Sequence, residues 1–180
     1  MKTSRILSAL AAPLAAAAVL ASSASCVHYR LGSMLPSDIK TVAVPTAKNN
    51  TDEPFLEQDA TSAIIGQIQM DGSLKVVSED QADAVLSVVL TRFWLDPVSY
   101  VSGSASTANE YRMNLSASIV LRRRSDNAVV VESPSVVGWT DFDFTGDLTS
   151  SKSIALRPTA DDLGRRIVDT LVQYWPENVD

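Results

Sequence analysis

Between Tyr111 and Arg122 the side chains alternate in kind. Tyr111, Met113, Leu115, Ala117, Ile119 and Leu121 fall on one side, and Arg112, Asn114, Ser116, Ser118 and Arg122 on the other. A period of two sustained over a dozen residues would be scattered around the circumference of a helix, whereas a β-strand turns it into two faces. The pattern therefore predicts a strand with one face on a core and one face wet, as in an antiparallel sheet covered on a single side. The rest of the chain has to supply the neighbouring strands and the cover.

Upstream, Ala84 to Leu95 reads as a second long strand, with Leu86, Val88 and Leu90 on one face and Ser87, Val89, Thr91 and Phe93 on the other. Downstream, Ser125-Asp126-Asn127 is a polar hairpin turn into Ala128–Glu132, and a further extended stretch covers 136–144. Ile39 to Pro45 and the short run Leu74–Val77 add two more extended segments. Helical spacing occurs twice. Over 55–71, Leu56, Ala60, Ile64 and Ile68 recur every four residues, with Asp52 and Glu53 near the start and Gly72 placed to close the end in a left-handed cap. Near the end of the chain Leu163, Ile167, Leu171 and Trp175 form a stripe. Thr159 and Asp162 predict a capping box at the start of that helix, and Pro176 ends it. Residues 101–109 hold little that could pack and read as a mobile loop. The expected fold is a single α+β domain, a mixed or antiparallel sheet with both helices packed on one face.

The first 25 residues belong to a different class. Basic Lys2 and Arg5, an apolar run from Ile6 to Leu20 and the small residues 21–25 are the three parts of an export signal. The apolar part falls short of the roughly 20 residues that a spanning helix needs. Cys26, the only cysteine of the chain, follows directly, so an intramolecular disulfide is excluded and lipidation of Cys26 is the expected fate. Ser23 stands where a lipidation site usually has leucine, which leaves cleavage after Ala24 as the alternative. On this reading 26–38 is a lipidated N-terminus and tether, and 39–180 is the folded domain.

With Lys2 and Arg5 removed, 13 basic residues face 21 acidic ones, a net charge of −8. That excludes a general nucleic-acid binder, which needs a basic face against phosphates. The one histidine, His28, sits on the tether, so a histidine-dependent triad or metal site has no candidate. Ser125-Asp126-Asn127 matches one motif of penicillin-recognising enzymes, but its partner motifs are missing and a turn explains it. Asp161-Asp162 and Asp141 with Asp143 read as a helix start and a solvated loop, in preference to acid–base pairs. No catalytic, metal or cofactor site is expected.

Several segments together resemble the lipopolysaccharide-assembly lipoprotein family, LptE. They are Tyr29-Arg30-Leu31-Gly32, the strand Ile39–Pro45, the loop Asn49-Asn50-Thr51-Asp52-Glu53-Pro54 with the helix from Phe55, the opening Asp83-Ala84-Val85-Leu86, and the final amphipathic helix. The resemblance implies a four-stranded sheet with two helices and no enzymatic activity. It also implies an outer-membrane lipoprotein held at the periplasmic face by its lipid anchor. Its expected partners are the LptD β-barrel, inside which it would sit as a plug, and lipopolysaccharide. An envelope lipoprotein adaptor serving another outer-membrane complex is the alternative. Arg122-Arg123-Arg124 is a basic cluster in an acidic chain, and guanidinium forks match phosphate, so these three are candidate lipopolysaccharide contacts. Arg92, polar within an apolar strand, is a fourth. A solubilising strand end is the competing reading of the cluster.

Overall fold

This computed structural model describes residues 35–100 and 108–173. Cys26, His28, most of the tether, loop residues 101–107, Trp175 and Pro176 lie outside the described residues. In chain order the elements are β1 (Thr41–Ala43), β2 (Lys48–Asn49), α1 (Leu56–Asp71), β3 (Lys75–Val76), β4 (Ala84–Tyr100), β5 (Ala108–Arg123), β6 (Val129–Asp143) and α2 (Leu148–Val172). They form one sheet in the order β3-β1-β4-β5-β6, with β2 beside β4. Strands β1, β2 and β3 pair in parallel, while β4, β5 and β6 form an antiparallel meander. The α+β expectation with a mixed sheet holds, but the sheet has six strands where the family resemblance implied four. Two of the six, β2 and β3, are two-residue pairings, too short to leave a periodic trace in sequence.

The alternation at Tyr111–Arg122 becomes the middle of the sheet. Met113, Leu115, Ala117, Ile119 and Leu121 of β5 are buried together with Leu86, Val88 and Leu90 of β4 and Val131 and Val136 of β6. Onto them pack Leu56, Ala60, Ile64 and Ile68 of α1 and Leu163, Ile167, Val168 and Leu171 of α2. Each buried Leu, Ile, Val or Met among them contributes on the order of 1.5–3 kcal/mol through burial. Helix α1 closes as expected, with Gly72 in the left-handed region at φ 75° and its N–H on the Ile68 carbonyl.

Helix α2 starts 11 residues before the predicted capping box. Its N-cap is Asp147, whose carboxylate accepts from the backbone N–H of Thr149 (3.3 Å) and Ser150 (2.9 Å). Thr159 is buried in the helix interior, and its hydroxyl donates to the Ala155 carbonyl at 2.8 Å. Pro158 lies within the helix, where it removes one backbone bond at a place where Ile154 and Pro158 are both exposed to water.

The two helices run in the same direction, as two contacts one helix-length apart show. Lys152 Nζ meets Glu53 Oε2 at 2.7 Å, and further along the backbone of Ala63 meets Gly164, where an added Cβ would lie 3.0 Å from the Ala63 carbonyl carbon. Contact with the sheet is tighter still. A Cβ at Gly138 of β6 would fall 2.3 Å from the backbone nitrogen of Leu163. Beside it the backbone N–H of Trp139, which points out of the sheet, donates to Asp162 Oδ2 at 3.0 Å. Asp162 also receives Arg166 Nε at 2.7 Å, so a helix side chain caps the outer edge of the edge strand. Asp162 therefore holds helix to sheet instead of starting the helix.

Candidate ligand-binding face

Both helices cover one face of the sheet, and the other face is where the candidate arginines have to be judged. Leu86, Val88 and Leu90 point into the core. Unbroken alternation would send Arg92 in after them. The register instead slips between Leu90 and Arg92, so that Thr91 is the extra residue of a β-bulge and Arg92 pairs with Ser116 on the open face. The same slip turns Phe93, expected on the outer face, onto the core. A second bulge lies on the far side of β5, where Ala117 pairs with Val136 and Ile119 with Ser133. There Pro134 and Ser135 lie opposite the single residue Ser118, and β6 runs through them as one strand where two extended pieces were expected.

The two bulges converge on Ser116. Thr91 Oγ1 lies 3.2 Å from both the carbonyl oxygen and the Oγ of Ser116, and Ser135 Oγ lies 3.2 Å from that same Oγ. The next open-face row is Trp94, Asn114 and Trp139, adjacent in register. Arginines stack on both tryptophans: Arg92 is 4.7 Å from the Trp94 ring centre, and Arg112 is 4.0 Å from that of Trp139. Asp96 accepts from Trp94 Nε1 at 2.9 Å and from Asn114 Nδ2 at 3.0 Å. Arg112 grips Asp141 through Nε (2.7 Å) and Nη2 (2.8 Å), and this pairing holds the Asp141 carboxyl below the usual carboxylate range. Among these neighbours Asn114 and Ser116 are only 5% and 6% exposed, so the wet face predicted for β5 is in part a buried polar layer.

The four candidate arginines separate into two kinds. Arg123 lies between Asp38 (2.9 Å) and Asp126 (3.0 Å), and Arg124 donates to the Asp80 carbonyl. They line an open cleft of about 500 Å³ with Asp38, Ala82, Asp83 and Ser125, in which two carboxylates offset the two guanidinium groups. Among the described residues Arg122 reaches the Asn127 carbonyl, at 3.5 Å. Among the described residues no carboxylate lies within ion-pair distance of Arg122 or Arg92. Along β5 their register positions are six residues apart, about 20 Å at strand rise. No single phosphate can be held by both.

Asp83, beside the cleft, has a structural task that its place in the sequence did not announce. Its Oδ2 accepts from the backbone N–H of Lys40 (3.0 Å) and Thr41 (2.9 Å) and from the Thr41 hydroxyl (2.8 Å), which fastens the start of β1 to the start of β4. The Lys40 N–H bond is the largest of the effects holding this carboxyl below its ordinary value of 3.8. A depressed carboxylate stabilises the fold above its unfolded-state value and loses that contribution as pH falls through the lower folded value. Asp83→Asn is expected to melt below the parent at pH 7, with the gap closing as pH drops below about 3.8. Parallel melting curves from pH 7 to 2 would show that the charge has no such role.

Comparison with known proteins now bears on the identity of the domain. A sequence model of the family LptE: Lipopolysaccharide-assembly matches residues 39–171, which takes in every strand and both helices up to the final turn of α2. The chain belongs to the LptE family. No curated protein matches its sequence significantly. Solved structures share the fold at low identity. A Xanthomonas campestris protein aligns with TM-score 0.54 and 12% identity, over 78% of this chain and 87% of that one. Lipoprotein B from Nitrosomonas europaea aligns at 0.50 and 13%, over 78% and 85%. The minor lipoprotein from Acinetobacter baumannii aligns at 0.50 and 10%, over 77% and 94%. In this LptE-family domain the two bulges, Arg92 and Arg122 fall within the matched residues.

Proposed function

We propose that this chain is a non-enzymatic outer-membrane lipoprotein, anchored at the periplasmic face through Cys26, that partners the LptD β-barrel in moving lipopolysaccharide to the cell surface. The observation that carries this reading is the family match over 39–171, which covers nearly the whole described domain. The open sheet face adds support, because a barrel lumen is polar and this face presents arginine, aspartate, serine and tryptophan. Lipopolysaccharide contacts are assigned to Arg92 and Arg122, which among the described residues make no ion pair and, unlike Arg124, no close hydrogen bond. Arg123 and Arg124 are secondary, because a ligand would have to compete with the bonds they already make.

Affinity purification of the tagged full chain from detergent-solubilised membranes is expected to bring down a large β-barrel in equimolar amount. Recovery with a different envelope complex would favour the adaptor alternative. Mass spectrometry of the membrane fraction should find acyl chains on Cys26. A mature chain that begins at Ser25 without acyl chains would remove the anchor from this account.

A further inference from the structure

We propose that the distal half of β4 is a self-complementary edge, at which two copies of this chain pair antiparallel about Trp94. The pairing concerns the chain outside a barrel partner and does not use the lipopolysaccharide reading. On the side of β4 away from β5, β1 pairs with Ala84 and Val85, and β2 with Val89 and Leu90. Among the described residues the last backbone bond on that side is the Asn50 N–H on the Leu90 carbonyl, at 3.0 Å. The chain then turns off, with Asn49 Oδ1 accepting the Thr51 N–H at 3.0 Å. From Arg92 onward β4 is therefore an edge strand. Register decides which of its backbone groups face outward. In the row Trp94, Asn114 and Trp139 the Trp139 N–H leaves the sheet toward Asp162. Residues of an antiparallel ladder turn their backbone groups alternately to one neighbour and the other, so Asn114 bonds toward β4 and Trp94 back toward β5. Phe93 and Leu95 are left with outward N–H and C=O groups, and Pro97, next in that series, has no N–H. Pairing Phe93 with Leu95 of a second copy, and Leu95 with its Phe93, satisfies every one of these groups.

Charge selects this register. Arg92 and Asp96 are exposed on the open face either side of Trp94, and among the described residues neither makes an ion pair. Trp94 holds both in place: the Arg92 guanidinium lies 4.7 Å from its ring centre, and its Nε1 donates to Asp96 at 2.9 Å. That bond and the one from Asn114 Nδ2, at 3.0 Å, both end on Asp96 Oδ2, which leaves Oδ1 for a cation. Arg112, opposite Asp96 in register, is already gripped by Asp141. Four residues apart, about 13 Å at strand rise, Arg92 and Asp96 do not meet within one strand. A two-fold axis at Trp94 sets Arg92 of each copy opposite Asp96 of the other and brings the two tryptophans together, all at the closer, non-hydrogen-bonded positions. Moving the register by two residues places Arg92 opposite Trp94 in one direction and Val98 in the other. The second of these also draws Pro97 into the ladder, where its missing N–H leaves a carbonyl unpaired.

The test measures self-association of the full chain, purified without a barrel partner, by sedimentation equilibrium in density-matched detergent. Arg92→Glu and Asp96→Arg are each expected to weaken it about tenfold or more, because like charges then face each other twice. The double variant Arg92→Glu/Asp96→Arg restores the opposite charges and with them the association. Arg157→Glu, an exposed change on α2, should leave it unaltered. Only variants that melt as the parent does are compared. Cross-linking checks the register by itself: on oxidation Trp94→Cys should give a covalent dimer, because facing non-hydrogen-bonded residues lie within disulfide reach. Val98→Cys, about 26 Å from its copy at strand rise, should not. The parent under the same oxidation accounts for Cys26. A parent that stays monomeric at every concentration overturns the proposal, as does a double variant no stronger than the single ones or linkage through Val98 in place of Trp94. Each of these outcomes leaves the family role intact.

Discussion

Gly138→Ala is expected to be the most damaging single-methyl change in the domain. The new Cβ would lie 2.3 Å from the nitrogen, 2.4 Å from the Cα and 2.6 Å from the Cβ of Leu163. These are mostly backbone atoms of a helix, and no rotamer change can clear them. Helix α2 must lift from β6, which also pulls Asp162 from the Trp139 N–H and opens the packing of Leu163 and Ile167. Overpacking alone costs about 1–3 kcal/mol and sometimes more, out of a total stability of roughly 5–15 kcal/mol for a domain. The loss should be at the upper end of that range or beyond. Gly66→Ala is the control, because nothing lies within 4 Å of its added methyl. There the better helix former should stabilise by about 0.5–1 kcal/mol. Denaturant midpoints that move the same way in both variants would contradict the close approach of α2.

The second large effect is Leu171→Asp. Leu171 is fully buried near the end of α2, in the same cluster as Ile68 of α1 and Leu86 of β4. The substitution removes an aliphatic side chain and leaves a carboxylate without a partner, a loss of several kcal/mol. Arg165→Ala on the same helix removes a side chain that is 61% exposed and 3.3 Å from Asp162, and it should change stability by less than about 0.5 kcal/mol. Equal melting temperatures for the two would show that α2 is not docked through this stripe.

What could be read ahead of the structure follows from where periodicity is strong. The alternation of Tyr111–Arg122 and the four-residue spacing of Leu56–Ile68 and Leu163–Leu171 are long and regular, and each became the expected element on the expected face. The first half of α2 escaped because its buried face is Ser151, Ala155 and Thr159. Small and polar residues leave no apolar stripe, and Pro158 argues locally against a helix. Asp147 two and three residues before the amides it caps was the available signal. The candidate site was half legible. Arginine chemistry pointed to Arg122, Arg123 and Arg124 with Arg92 as a fourth, but the hydroxyls around Ser116 meet only because two bulges break the period of two. An arginine at a position whose parity is otherwise Leu86, Val88, Leu90 is the trace such a bulge leaves.

The cap on β6 also bears on the order in which the chain can become safe from itself. β6 is a 15-residue strand at the edge of the sheet, and the side chain that occupies its outward Trp139 N–H belongs to α2. The meander β4-β5-β6 can pair as soon as Asp143 is available, yet its rim stays open until α2, which runs on to Val172, has formed and docked. An intermediate with a formed sheet and an undocked helix presents an unguarded strand to a second molecule. Damage to the α2 interface should thus register first as aggregation during refolding, with equilibrium unfolding following at higher denaturant.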